Sequence, residues 1–188
     1  MSWTDIEKNT GERSDRTPIT KFEAGATTVR ILDEEPYSFW NHWLQKQQTG
    51  VTCPGKGCPI CNIIAQQKAN KEKPMYNSTQ RHAMRIWNYK TNQMEVMIQG
   101  TRFFSNLLTL HKEIGDIRTY DIKVVRSGEG KDTTYALLPC QPAEFAITEG
   151  IEEINFKEYF VPPTNEEIIQ LIEGKTWNEI RGEKEAVA

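Results

Sequence analysis

Three cysteines within nine residues, Cys53, Cys58 and Cys61, lie on a stretch rich in Gly, Pro and Lys, and they limit this chain more than any other feature. Residues 45–60 are too polar and turn-rich for a helix and too long for a hairpin turn. A loop of that kind needs something to hold it. The N-terminus, MSWTDIEKNTGERSDR, has no apolar leader segment, so the expected compartment is the cytoplasm. Clustered thiols there read as metal ligands or redox groups before disulfides.

The full spacing is His42-x10-Cys53-x4-Cys58-x2-Cys61. Zinc favours thiolate and imidazole ligands in a tetrahedron, and three cysteines with one histidine make a closed, structural site. Cys58-Pro59-Ile60-Cys61 puts two thiols on one tight turn, and Gly55 and Gly57 let the backbone bring Cys53 back to the same point. His42 is the expected fourth ligand; His82, His111 and Cys140 are the other candidates for that place. The competing reading makes Cys58 and Cys61 a redox pair, but that needs a βαβ context that is not evident. A catalytic metal would need an open coordination position. The deaminase pattern would need His-x-Glu upstream of Pro-Cys-x-x-Cys, whereas Trp43-Leu44 follows His42 and Gly57 precedes Cys58.

Around this loop the chain reads as mainly β. Strands are expected at 19–23, 27–32, 37–44, 81–89, 94–99, 120–126 and 133–138, from alternation and flanking turn residues. A helix is expected from Cys61 to about Lys71. A better one runs over Thr101–Ile114, where Phe103, Leu107, Leu110 and Ile114 share a stripe widened by Phe104 and Leu108. Gly115 stops it. Short strands at this spacing fit a small barrel or sandwich, not a parallel sheet. Residues 1–19 read as a flexible arm, 20–140 as the core, about 42–72 as an inserted zinc subdomain, and 141–188 as an acidic tail. Thr164–Glu173 within the tail is a short helix with a capping-box pattern.

Charge is unevenly placed. Residues 140–188 carry eleven Glu, no Asp and four Lys or Arg, a formal −7, which leaves +4 on residues 1–139. A basic body suits a polyanion, and an acidic tail suits repulsion of it or recruitment of a protein. In the 81–89 strand, Arg81, Arg85, Trp87 and Tyr89 share one face while Met84 and Ile86 share the other. Tyr37, Phe39 and Trp43 share a face of the aromatic strand. Guanidinium groups interleaved with flat rings hold single-stranded nucleic acid by phosphate contact and base stacking. Arg30, Lys123, Arg126 and Lys131 extend this candidate DNA-binding set. Gly128-Glu129-Gly130-Lys131 lacks the phosphate-loop pattern and reads as a hairpin turn. No nucleophile–base pairing points to an enzyme, and no apolar run of about 20 residues points to a membrane span.

These motifs resemble the zinc-containing single-stranded DNA-binding proteins of T-even and related tailed phages. The residues that carry the likeness are His42, Cys53, Cys58-Pro59-Ile60-Cys61 continuing as CNIIAQQ, the segment VRILDEEP before the aromatic strand, and YDIKVVRSGEGKDTTYALLP at 120–139. The likeness spans about residues 20–140. It implies an OB-type β-barrel with an inserted zinc subdomain, one or two packed helices and an acidic tail. It also implies sequence-independent binding of single-stranded DNA in phage-type replication, recombination and repair, with one structural zinc and no small-molecule substrate. The tail would recruit replication or recombination proteins. The alternative class is a zinc-ribbon adaptor or transcription-associated factor that binds protein or duplex DNA; a thiol oxidoreductase is a more distant third.

Overall fold

A computed structural model describes residues 17–143 and 151–182. The expected arm therefore lies almost wholly outside the described residues, as do parts of the expected tail.

Seven strands form one open antiparallel sheet, and helices are few: β1 Gly25–Ile31, β2 Tyr37–Leu44, β3 Thr49–Thr52, β4 Ser78–Asn88, β5 Gln93–Gly100, β6 Asp121–Ser127 and β7 Thr134–Cys140. The hydrogen-bonded order is β3-β2-β4-β1-β6-β7, with β5 also paired to β4. No pairing among the described residues joins the two ends, so the sheet is open rather than a closed barrel. The helices are α1 Pro59–Ala69, α2 Thr101–Ile114, α3 Phe156–Tyr159, α4 Asn165–Ile172 and α5 Trp177–Arg181. The expected first strand at 19–23 is reduced to a single bridge, Ile19 to Val96. Elements that the sequence reading does not assign include β3 inside the cysteine loop, α3 and α5.

The chain divides into two compact units. One holds the described residues up to Pro36 together with Ala83–Glu153; the other holds Tyr37–His82 and the described residues from Ile154 onward.

In the first unit, β1 lies between β4 and β6, with Val29 opposite Asn88 on one side and Ile122 on the other. Period-two alternation sends Val29, Ile31, Met84, Ile86, Ile122 and Val124 to one face, where Phe22, Met97, Phe103, Phe104 and Leu107 complete a buried core. Each of these fully buried aliphatic side chains contributes about 1.5–3 kcal/mol. Helix α2 packs on both β5 and β7 through its apolar stripe. The β6–β7 hairpin turns through Gly128 at φ 76°, where a Cβ would fall 2.3 Å from the Asp132 carbonyl oxygen, so only glycine fits.

In the second unit, β2 and β3 form a hairpin pairing Asn41–Leu44 with Thr49–Thr52. Its core joins Leu44, Val51, Cys58 and Ile60 to Ile168 and Leu171 of α4. The short helices of the C-terminal segment thus complete a core. Both α4 and α5 open with capping boxes, Thr164 with Glu167 and Thr176 with Glu179.

Candidate metal centre and nucleic-acid face

The cysteine loop closes on His42. The imidazole and the thiols of Cys53, Cys58 and Cys61 each offer one ligand atom, and the four atoms lie within 4.8 Å of one another. Cys53 Sγ and Cys61 Sγ are 3.6 Å apart; His42 Nε2 is 3.5 Å from both Cys58 Sγ and Cys61 Sγ. A tetrahedron with thiolate bonds of about 2.3 Å and an imidazole bond of about 2.0 Å has edges of about 3.5–3.8 Å. The donor set therefore has the size to hold one metal ion. His42, not His82, His111 or Cys140, stands at the fourth corner.

Local structure explains why these side chains converge. His42 and Leu44 point to the buried side of β2 by period two, and both are shielded from solvent. The Cys53 amide donates to the Trp40 carbonyl at 2.8 Å, which ties the loop to that strand. Gly55 at φ 84° and Gly57 at φ 83° supply the left-handed turns of the loop. The Gly55 amide reaches Cys53 Sγ at 3.4 Å. Cys58 is the N-cap of α1, Pro59 begins the helix, and Cys61 follows one turn on. The aligned amides of a helix start favour thiolate charge nearby.

Protonation fits the same picture. Burial lowers the His42 pKa, against the hydrogen bond its Nδ1 makes to the Asn77 carbonyl at 3.2 Å. That contact fixes Nδ1 as the protonated nitrogen and leaves Nε2 as the donor atom to a cation. Burial, followed by the neighbouring thiols, pushes Cys61 up to about 12. Burial also raises Cys53. Crowded thiols that resist ionisation alone become thiolates when a cation supplies the opposite charge.

The expected nucleic-acid residues fall into three groups. Arg30, Arg85, Trp87 and Tyr89 do share a face, since Trp87 is opposite Arg30 and Arg30 is opposite Asp121 in the ladder. Yet internal partners hold the two arginines and Tyr89, and burial takes Trp87. Arg85 Nε and its main-chain amide donate to Asp33 at 2.8 and 2.5 Å, and its Nη1 donates to the Glu152 carbonyl at 2.6 Å and pairs with Glu153 at 3.1 Å. Burial opposes the Arg85 charge, but Asp33 and then Glu153 hold its pKa above the ordinary value. Arg30 pairs with Asp121, which also accepts from the Tyr89 hydroxyl at 3.0 Å and the Ala143 amide at 2.8 Å. Burial, then Asp121, pushes Tyr89 up to about 12. Trp87 is only 8% exposed.

Tyr37 and Phe39 form a second group, covered by rings from the C-terminal segment. Phe160 stacks on Phe39 with centroids 4.4 Å apart and on Tyr37 at 5.9 Å, and Phe156 stacks on Tyr37 at 5.6 Å. The third group remains open. Trp43 is 46% exposed; Lys123 and Lys131 are exposed, and Arg81 and Arg126 are half-buried. Trp40, 52% exposed, is a further open ring that alternation alone had assigned to the His42 side. Asp33, Asp121, Phe156 and Phe160 were not anticipated; the i, i+4 spacing of the two Phe residues was the one available signal for the last pair.

No helix among the described residues is long and apolar enough to cross a membrane. No protein-family model, no curated protein and no solved structure matches this chain.

Proposed function

We propose that this chain is a non-catalytic, sequence-independent single-stranded DNA-binding protein of the phage type, with an OB-type core and one structural zinc. The observation that carries the reading is strand order. Strands β1, β4, β5, β6 and β7 pair as β5-β4-β1-β6-β7, with α2 between β5 and β6. This order supports a five-stranded OB module, a partly open Greek-key barrel, without a pairing between its two edge strands among the described residues. Packing of α2 on both β5 and β7 fits a helix that plugs the gap.

OB modules bind oligonucleotides through the face of their second and third strands and through their first and last connections. Here the first connection, between β1 and β4, is the chain that bears the metal cluster and the open Trp43 ring. The last, between β6 and β7, is the hairpin flanked by Arg126 and bearing Lys131. Zinc suits the cluster because a closed tetrahedral set of three thiolates and one imidazole is a structural zinc arrangement. With four protein ligands no position remains for substrate, so the metal braces the loop. The acidic C-terminal region suits a protein partner in replication or recombination.

One observation favours the second reading, a zinc-stabilised adaptor that binds protein or duplex DNA: Arg30 and Arg85 are already neutralised by Asp121 and Asp33. Quenching of tryptophan fluorescence by oligo-dT, repeated with a duplex of equal length and across a salt series, separates the two. Single-strand preference with affinity falling steeply in salt is expected for the first reading. Equal or tighter duplex binding, or none to either, would favour the adaptor.

A further inference from the structure

We propose that the metal ion governs whether the C-terminal helices α4 and α5 are docked or released. The inference rests only on the metal-binding part of the reading above and is independent of nucleic-acid binding.

Four observations meet here. The cluster and the helices share one apolar core: Cys58 and Ile60 are buried with Ile168 and Leu171, and Cys53, Cys61, Trp177 and Ile180 pack around them. The loop and α4 are also joined by a polar link, since Gln47 Nε2 donates to the Leu171 carbonyl at 2.7 Å. That carbonyl belongs to the last turn of α4, where it also accepts from the Gly174 amide at 3.0 Å just past the helix end. At the other end of α4, the Asn165 side chain lies 3.8 Å from where a Cβ on Gly57 would stand. Finally, α4 has eight residues and α5 five. Isolated helices shorter than about 12 residues are marginal in water even with good caps.

The consequence follows from linkage. The loop carrying Cys53 and Cys58 has little regular structure, so its folded form depends on its four-ligand tie. The helices depend on the surface that the folded loop presents. A metal that binds only the folded loop therefore stabilises the docked helices by mass action, and docked helices tighten the hold on the metal by the same factor. Loss of the metal frees a segment whose Ile168, Leu171 and Trp177 side chains then become available to another apolar surface, flanked by Glu166, Glu167 and Glu179.

The test uses the full chain, reduced, either loaded with zinc or stripped by a chelator, with metal content measured in each. Amide hydrogen exchange is followed over α4 and over β6. At zinc about 100-fold above its dissociation constant, protection of the α4 amides is expected to exceed that of the stripped protein by up to about a hundredfold, while β6 is unchanged. Unchanged α4 protection in zinc-free protein would overturn the inference, and so would equal loss of protection in β6, which would signal unfolding of the whole chain. Gln47→Ala is the mild reciprocal probe, because it removes only the anchor on the Leu171 carbonyl. It is expected to speed zinc transfer to a chromogenic chelator by about fivefold or more; a wild-type rate would count against the coupling. Protein that never takes up zinc defeats the metal reading and this inference together, whereas zinc uptake with insensitive helices defeats the inference alone.

Discussion

The Nδ1 of His42 faces the main-chain carbonyl of Asn77 at 3.2 Å, so a residue just ahead of β4 sets the tautomer of the cluster's imidazole on β2. Because the partner is a carbonyl, no side-chain substitution at 77 deletes it. This hydrogen bond ties the connection after α1 back to the cluster that opens α1.

For the cluster itself, Cys61→Ser is expected to abolish stoichiometric zinc and to lower the melting temperature. Removing one of four ligands forfeits much of a binding energy of about 10–16 kcal/mol that reports directly on folding. Metal analysis and thermal unfolding of protein purified without chelator check this, and an unchanged melting temperature would remove the structural role.

Trp87 and Trp43 are expected to behave oppositely. Trp87→Ala empties a nearly buried site and should cost about 3–5 kcal/mol of stability, seen as a lower denaturation midpoint in urea. Trp87→Phe should recover most of it.

Trp43→Ala should leave the urea midpoint nearly unchanged and weaken oligo-dT binding by about 1–3 kcal/mol, the worth of one stacked base. A titration showing wild-type affinity would take Trp43 out of the binding face.

Phe39→Ala strips Phe160 of its nearest stacking partner, 4.4 Å away, and leaves Tyr37 at 5.9 Å. The expected effect is lost stability of about 1–3 kcal/mol in the unit that contains the cluster, larger than that of Trp43→Ala. Calorimetry of the two variants side by side decides the order, and the reverse order would mean that the ring stack is not an anchor.

Neutralising the β6–β7 hairpin should act through salt. Arg126→Gln with Lys131→Gln is expected to weaken binding to all homopolymers alike and to lower the slope of log affinity against log salt by about 0.7 for each phosphate no longer neutralised. An unaltered slope would place the DNA elsewhere.

Much of this arrangement was legible in the residues, and the failures share one cause. Period two found β2 and β4, and the 3.6-residue stripe of Phe103 and Leu107 found α2, because these signals are local. The cluster of His42 with Cys53, Cys58 and Cys61 was legible because a metal site demands both residue types and spacing. Thr49–Thr52 was not, since four residues with a glycine carry no period and become a strand only by pairing with β2. Alternation put Arg85 on the correct face but could not show that Asp33, 52 positions earlier, claims it. Alternation places Tyr37 and Phe39 in the candidate DNA-binding set for the same reason: their partners Phe156 and Phe160 lie far along the chain, where no periodicity connects them.

The unit that holds the cluster is drawn from two stretches, Tyr37–His82 and the described residues from Ile154 onward, while β5, α2, β6 and β7 are spelled out between them. During synthesis on a ribosome His42 and the three clustered cysteines emerge well before the helices that share their core. The nascent chain must therefore carry its thiols without that cover until Ile168 and Leu171 have followed them out, and a message cut short after β7 would encode His42 and its three cysteines but not the wall against which they pack.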